Sequence, residues 1–155
     1  MKSNIKNVAV VGTGVIGTGW TGGIRANACA TSPLINELHI AEINPTRLAE
    51  VKQETNPVFS TTDWEELLKK DELEAIVISA TPESTHYPMI KAALEAGKHV
   101  FVEKPLCVNE AELVQIIEAY KRTKNLSVLF VAITGDFPLL LCAFNRIIPV
   151  VSPLL

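Results

Sequence analysis

An apolar run, Val8-Ala9-Val10-Val11, passes directly into Gly12-Thr13-Gly14-Val15-Ile16-Gly17. A buried strand is therefore followed at once by Gly-x-Gly-x-x-Gly, which confines the chain to a strand, a tight turn and a helix packed back on the strand. Gly12 permits the turn out of the strand, Gly14 removes the Cβ that would block a pyrophosphate, and Gly17 lets the helix lie close to the sheet. Val15 and Ile16 fall between the last two glycines, where the unpaired N–H groups and the positive end of the helix dipole favour an anion. A glycine turn by itself also serves as an ordinary strand-to-helix connection. The strand predicted over 5–11 immediately before it favours a dinucleotide site.

Further along, strands and helices alternate. A second strand is predicted over 38–42, a helix over 46–53 opened by Asn44-Pro45, and a short third strand starting at Pro57 and Val58. Asp63 and Glu66 have capping-box spacing ahead of Leu67 and Leu68, so a short helix is predicted over 64–70. Ala75-Ile76-Val77-Ile78-Ser79 has the unbroken apolar character of a strand buried on both faces. A helix over 85–96 is ended by Gly97, a natural left-handed cap, and a fifth strand follows over 99–102. Asn109 and Glu112 repeat the capping geometry before a helix whose Leu113, Ile116, Ile117 and Tyr120 share one face, and a sixth strand is predicted over 126–133. Such alternation implies right-handed crossovers and an α/β fold, a Rossmann-type doubly wound parallel sheet.

The 155 residues, 48% of them hydrophobic, suffice for one core, and a net charge of −3 with scattered Lys and Arg offers no footprint for nucleic acid or an anionic membrane. Cys29, Cys107 and Cys142 are odd in number and lack metal-ligand spacing, which suits reduced thiols. No signal-peptide core precedes the first strand, so the expected compartment is the cytoplasm.

In a doubly wound sheet, ligands bind at the carboxyl ends of the strands. Glu42 ends the second strand, where a carboxylate accepts hydrogen bonds from the ribose hydroxyls of the adenosine half and repels the extra phosphate of NADP. Ile43 and Asn44 supply no compensating charge, which favours NAD, with NADP as the alternative. The other reading of Glu42 is a solvated loop carboxylate. His39 and His99 fall inside predicted strands and read as structural, as do Trp20 and Trp64.

Ser79-Ala80-Thr81-Pro82-Glu83-Ser84-Thr85-His86 follows the fourth strand, Glu103-Lys104-Pro105 follows the fifth, and Ala93-Leu94-Glu95-Ala96-Gly97-Lys98-His99-Val100 lies between them. These segments, in this order, closely resemble the N-terminal domain of the glucose-fructose oxidoreductase, inositol dehydrogenase and MocA (Gfo/Idh/MocA) family, over about residues 6–124. The resemblance implies an NAD(P)-dependent oxidoreductase acting on a sugar or polyol. It places Thr81, Pro82 and His86 beside the cofactor, and makes Glu103-Lys104-Pro105 the segment whose lysine faces the nicotinamide and the substrate oxygen and assists catalysis. Glu83 stands where the family often has Asn. The residue chemistry of Lys104 agrees, because an ammonium at a strand end can hydrogen-bond a developing alkoxide or relay its proton. Without the motif, Lys104 reads as a surface lysine beside Glu103. His86, in the first turn of a helix, reads either as a cofactor contact or as a local packing residue.

The resemblance also implies a second domain, largely antiparallel sheet, that supplies the substrate pocket. Residues 126–155 do not resemble it. They hold two charged residues, Asp136 and Arg146, and are interrupted by Pro138, Pro149 and Pro153, which also leaves no window suited to a membrane anchor. The expectation is a dinucleotide-binding domain over 1–125, catalytically incomplete alone, and an apolar tail over 126–155 that is irregular after 133. A shifted reading frame would account for the tail, since Val131-Ala132-Ile133-Thr134-Gly135-Asp136-Phe137 can be encoded by bases that also encode the family's Gly-Tyr-Asn-Arg-Arg-Phe. Two other readings are a stand-alone nucleotide-binding or redox-sensing module, and a partner-binding protein that uses the apolar tail. Glu103-Lys104-Pro105 favours the enzyme domain, because a pure sensor needs no substrate lysine.

Overall fold

The structure, a computed structural model, describes residues 7–12, 22–123, 128–132 and 140–143. Strand β1 (Asn7–Val11) lies inside a sheet whose other strands are β2 (Glu37–Ala41), β3 (Phe59–Thr61), β4 (Ala75–Ile78), β5 (His99–Glu103), β6 (Val128–Ala132) and β7 (Leu140–Ala143). Their spatial order is β3-β2-β1-β4-β5-β6-β7. The first six strands are parallel and follow the 3-2-1-4-5-6 order of a Rossmann sheet. That order puts a switch point beside β1, where the chain runs outward to β2 on one side and to β4 on the other.

Helices cover both faces. α1 (Gly22–Thr31) and α2 (Pro45–Thr55) contribute Ala26 and Val51 to a core with Val8, Val10, Leu38, Ile40 and Val77. On the opposite face, α3 (Glu65–Leu68), α4 (His86–Glu95) and α5 (Glu110–Arg122) contribute Leu67, Ile90, Leu94 and Ile116 to a core with Ala9, Val11, Ile76, Ile78, Val100 and Val102. The alternation along β1 and β4 divides each strand between the two cores, which is why these runs are apolar throughout. Each fully buried Leu or Ile contributes about 1.5–3 kcal/mol by leaving water.

Local signals set the helix boundaries. Asn44 Oδ1 accepts the N–H groups of Thr46 and Arg47 at 3.0 and 3.2 Å, with Pro45 in the first turn, and Asn56 ends α2 at φ 45°. Gly97 has φ +74°, the left-handed cap its position implied. Asn109 Oδ1 accepts the Glu112 N–H at 3.0 Å, and Glu112 reaches back to the Val108 N–H at 3.1 Å. The capping box expected at Asp63 and Glu66 does not form. Asp63 Oδ1 accepts the Glu65 N–H at 2.9 Å, while the Glu66 carboxylate accepts the Thr61 hydroxyl at 2.5 Å, because the end of β3 brings that hydroxyl within reach.

After β6 the sheet departs from the expected all-parallel pattern, since β7 pairs antiparallel with it in the stretch expected to be irregular. The reason is length. Only seven residues separate Ala132 from Leu140, too few for a parallel crossover but enough for an antiparallel return. His39 is buried in β2 with its ring 6.2 Å from that of Phe59, its Nε2 lying 3.5 Å from Glu37 Oε2 without hydrogen-bond geometry. Among the described residues, no helix is long and apolar enough to cross a membrane.

Candidate functional site

The carboxyl ends of β1, β2, β3 and β4 are laced together by backbone bonds. Gly12 N–H donates to Ala41 O at 2.9 Å, Ser79 N–H to Val11 O at 2.9 Å, and Glu42 N–H to Thr61 O at 3.0 Å. Gly12 has φ +77°, and a Cβ built on it would lie 2.5 Å from Ala80 Cα. Glycine is thus required there by backbone conformation and by the approach of the β4 strand end. Gly14, Val15, Ile16 and Gly17, the rest of the expected phosphate turn, lie outside the described residues, as does Trp20.

Beside Gly12 opens a cavity of about 260 Å³. Val11, Ala41, Ile43, Trp64 and Met89 give it an apolar wall, and Glu42, Thr62, Ser79, Thr81 and Thr85 bring polar atoms to it. Glu42 is 6% exposed, so it is no solvated loop carboxylate, and its Oε1 accepts the Asn44 N–H at 3.0 Å. Ser79 Oγ is buried with no hydrogen-bond partner among the described residues. An apolar hollow with a few fixed polar groups, at the switch point of a parallel sheet, is where such folds bind nucleotides.

Two loops rise on the β4 and β5 side of the cavity. Thr81 and Pro82, joined by a cis peptide, are exposed and lead into a 3-10 turn over Glu83–Thr85, in which Thr85 Oγ1 donates to Pro82 O at 2.7 Å. Lys104 and Pro105, also joined by a cis peptide, are exposed at the end of β5. His86 connects the two loops. Its Nδ1 lies 2.7 Å from Pro105 O and its Nε2 lies 2.9 Å from Ala80 O, with the side chain 1% exposed. Both ring nitrogens are thereby engaged by carbonyls, which makes His86 a tie between loops. A neutral imidazole donates to one of them, and the imidazolium donates to both.

Glu103 points to the α1 face of the sheet, where Arg25 meets its carboxylate through Nε and a terminal nitrogen. Burial pushes the Arg25 guanidinium below the ordinary arginine value, opposed by the neighbouring Cys29. Burial pushes the Cys29 thiol up, against the effect of Arg25. Three contributions to this region had no signature in the sequence. Trp64 was expected to be structural and also lines the cavity; Ser79 brings an orphan hydroxyl to it; and Arg25 pairs with a residue 78 positions away. Capping spacing pointed to the helix after Trp64, but only strand order brings that helix start beside Gly12.

The model of the Gfo/Idh/MocA oxidoreductases, an oxidoreductase family with an NAD-binding Rossmann fold, matches residues 6–131. The chain belongs to this family. The strands and helices of the matched stretch are the NAD-binding Rossmann domain of a Gfo/Idh/MocA oxidoreductase. A myo-inositol 2-dehydrogenase of Thermotoga maritima is 31% identical over 109 residues, which are 70% of this chain and 32% of that protein. A levoglucosan dehydrogenase of Pseudarthrobacter phenanthrenivorans is 32% identical over 117 residues, 70% of this chain and 30% of that protein. Among solved structures, an apo scyllo-inositol dehydrogenase from Lactobacillus casei shares the fold with a TM-score of 0.72 at 24% identity, over 84% of this chain and 37% of that one. The chain spans about a third of the length of the relatives it matches.

Proposed function

We propose that this Gfo/Idh/MocA domain binds NAD(H) for hydride transfer to or from a sugar or polyol, and that its residues supply the cofactor side of the reaction. One observation carries the reading: the buried Glu42 carboxylate stands in the wall of a cavity that opens against the Gly12 turn. The adenosine half fits that cavity, with its ribose hydroxyls donating to Glu42 and the pyrophosphate against Gly12, Gly14, Val15, Ile16 and Gly17. A 2′-phosphate would meet the Glu42 carboxylate. Arg47, in the first turn of α2, is already held by Glu50 at 2.9 Å and Glu54 at 3.5 Å, so NAD is favoured over NADP.

When bound, the nicotinamide supplies the hydride acceptor or donor. Thr81 and Pro82 on one loop, and Lys104 following Glu103 on the other, would hold it. Lys104 holds its ammonium at the reacting oxygen, donating a hydrogen bond as the carbinol becomes an alkoxide or returning a proton to it. His86 acts through the loops it ties. The levoglucosan and myo-inositol dehydrogenases among the relatives support a polyhydroxylated substrate.

Isothermal titration of the purified chain with NADH tests the reading. Micromolar binding is expected, and Gly14→Val should abolish it by placing a branched side chain where the pyrophosphate sits, with little change in the circular dichroism spectrum. Equal affinity in that variant would overturn the site.

A further inference from the structure

Arg25 lies on α1, the first described helix after the glycine turn, and Glu103 closes β5. The guanidinium meets Glu103 Oε1 through two nitrogens and stands over the ring of Phe101, 5.2 Å from its centroid. Phe101 and Glu103 are two residues apart on one strand and therefore share a face. The side chains of Arg25 and Glu103 are 25% and 16% exposed, so water screens the pair only partly. An arginine can make this contact with its planar fork while stacking on the ring, and a lysine cannot. On the other side of the same turn, Pro105 O is held by His86. Lys104 is thus bracketed by two held neighbours, and one of them is fastened to α1.

We propose that Arg25 is a positioning residue, fastening the Glu103-Lys104-Pro105 turn to α1 so that Lys104 is set relative to a dinucleotide held at the glycine turn. The proposal rests on the reading of Lys104 and of the glycine turn given above. Its physical basis is the adjacency of Glu103 and Lys104. A Glu103 carboxylate released by Arg25 is free to attract the Lys104 ammonium of the next residue, and the turn loses its link to α1.

A double-mutant cycle on NADH affinity tests this with the 155-residue chain. In the wild type, Lys104→Ala should weaken NADH binding about fivefold, a contact-sized effect. In Arg25→Met, the same Lys104→Ala step should change the affinity less than twofold, because Lys104 is no longer placed to contribute. A purely structural Arg25 would lower the melting temperature but leave the Lys104→Ala step equal in both backgrounds. Equal steps overturn the proposal, and so does the absence of any Lys104→Ala effect in the wild type. If Arg25→Met does not fold, Glu103→Gln breaks the same tie from the strand and is judged by the same criterion. Gly14→Val separates the two ideas. Unchanged NADH affinity in that variant defeats the binding reading itself, whereas abolished affinity together with equal Lys104→Ala steps defeats only the role of Arg25.

Discussion

The His86 Nδ1 atom lies 2.7 Å from the carbonyl oxygen of Pro105, 19 residues further along the chain, inside a side chain that is 1% exposed. With Nε2 on Ala80 O, the ring joins the loop after β4 to the loop after β5. His86→Leu would leave these two carbonyls without their partner at similar side-chain volume. A loss of about 1–3 kcal/mol is expected, the cost of stranding the one acceptor to which a neutral ring donates. Urea unfolding followed by circular dichroism measures it. A loss below 0.5 kcal/mol would mean that the ring merely fills space.

Gly12 offers a second test of packing. Gly12→Ala would place a methyl group 2.5 Å from Ala80 Cα at φ +77°, so both sterics and backbone oppose it. Destabilisation of about 2–4 kcal/mol is expected, as for other strained or overpacked core sites. Gly97→Ala is the control. It has φ +74° but nothing within 4 Å of the added Cβ, so its cost should be near 1 kcal/mol.

The carboxylate of Glu42 should set cofactor preference. Glu42→Ala removes both the ribose acceptor and the repulsion of a 2′-phosphate, so the ratio of NADH to NADPH affinity should fall about tenfold, mainly through weaker NADH binding. Paired titrations with the two nucleotides give the ratio. An unchanged ratio would place the ribose elsewhere.

The thiols should be sluggish. Burial raises the pKa of Cys29, with Arg25 opposing, and burial followed by the Glu112 charge raises that of Cys107, with the Asn109 backbone opposing. At neutral pH both should react with iodoacetamide several-fold more slowly than in the urea-unfolded chain, as read by mass spectrometry of the separate peptides. The sign for stability follows. A thiol that holds its proton longer when folded gives a contribution present below the ordinary value of 9.0, lost as pH rises through the higher folded value. Unfolding free energy should therefore decline above about pH 9, and Cys29→Ala should reduce that decline.

The family match ends at Val131, where the shifted reading begins. The coding DNA is expected to read Gly-Tyr-Asn-Arg-Arg-Phe from the third base of the Val131 codon. Codons that do not permit those six residues would make the apolar stretch a native segment whose strand β7 was selected as such.

Residue order alone determined the fold class and every element as far as β6, though not β7. Period-two and unbroken apolar runs marked β1, β2, β4 and β5, because burial on one or both faces of a strand is written within five residues. Asn44, Gly97 and Asn109 marked helix ends, because a cap is a contact among near neighbours. The resemblance then implied a chemistry for Lys104, which no period or spacing could do. Tertiary structure decided what lies far apart in sequence. Strand order brought Glu42, Trp64 and Ser79 around one cavity, register set Arg25 against Glu103, and the crossing of α4 behind two loops made His86 a tie between them. Asp63 and Glu66 show the limit: the spacing was right for a box, but the Thr61 hydroxyl at the end of β3 took the Glu66 carboxylate. Local patterns encode φ, ψ and burial along one element, whereas side-chain partners depend on how separate elements are ordered and registered, which only the packed core decides.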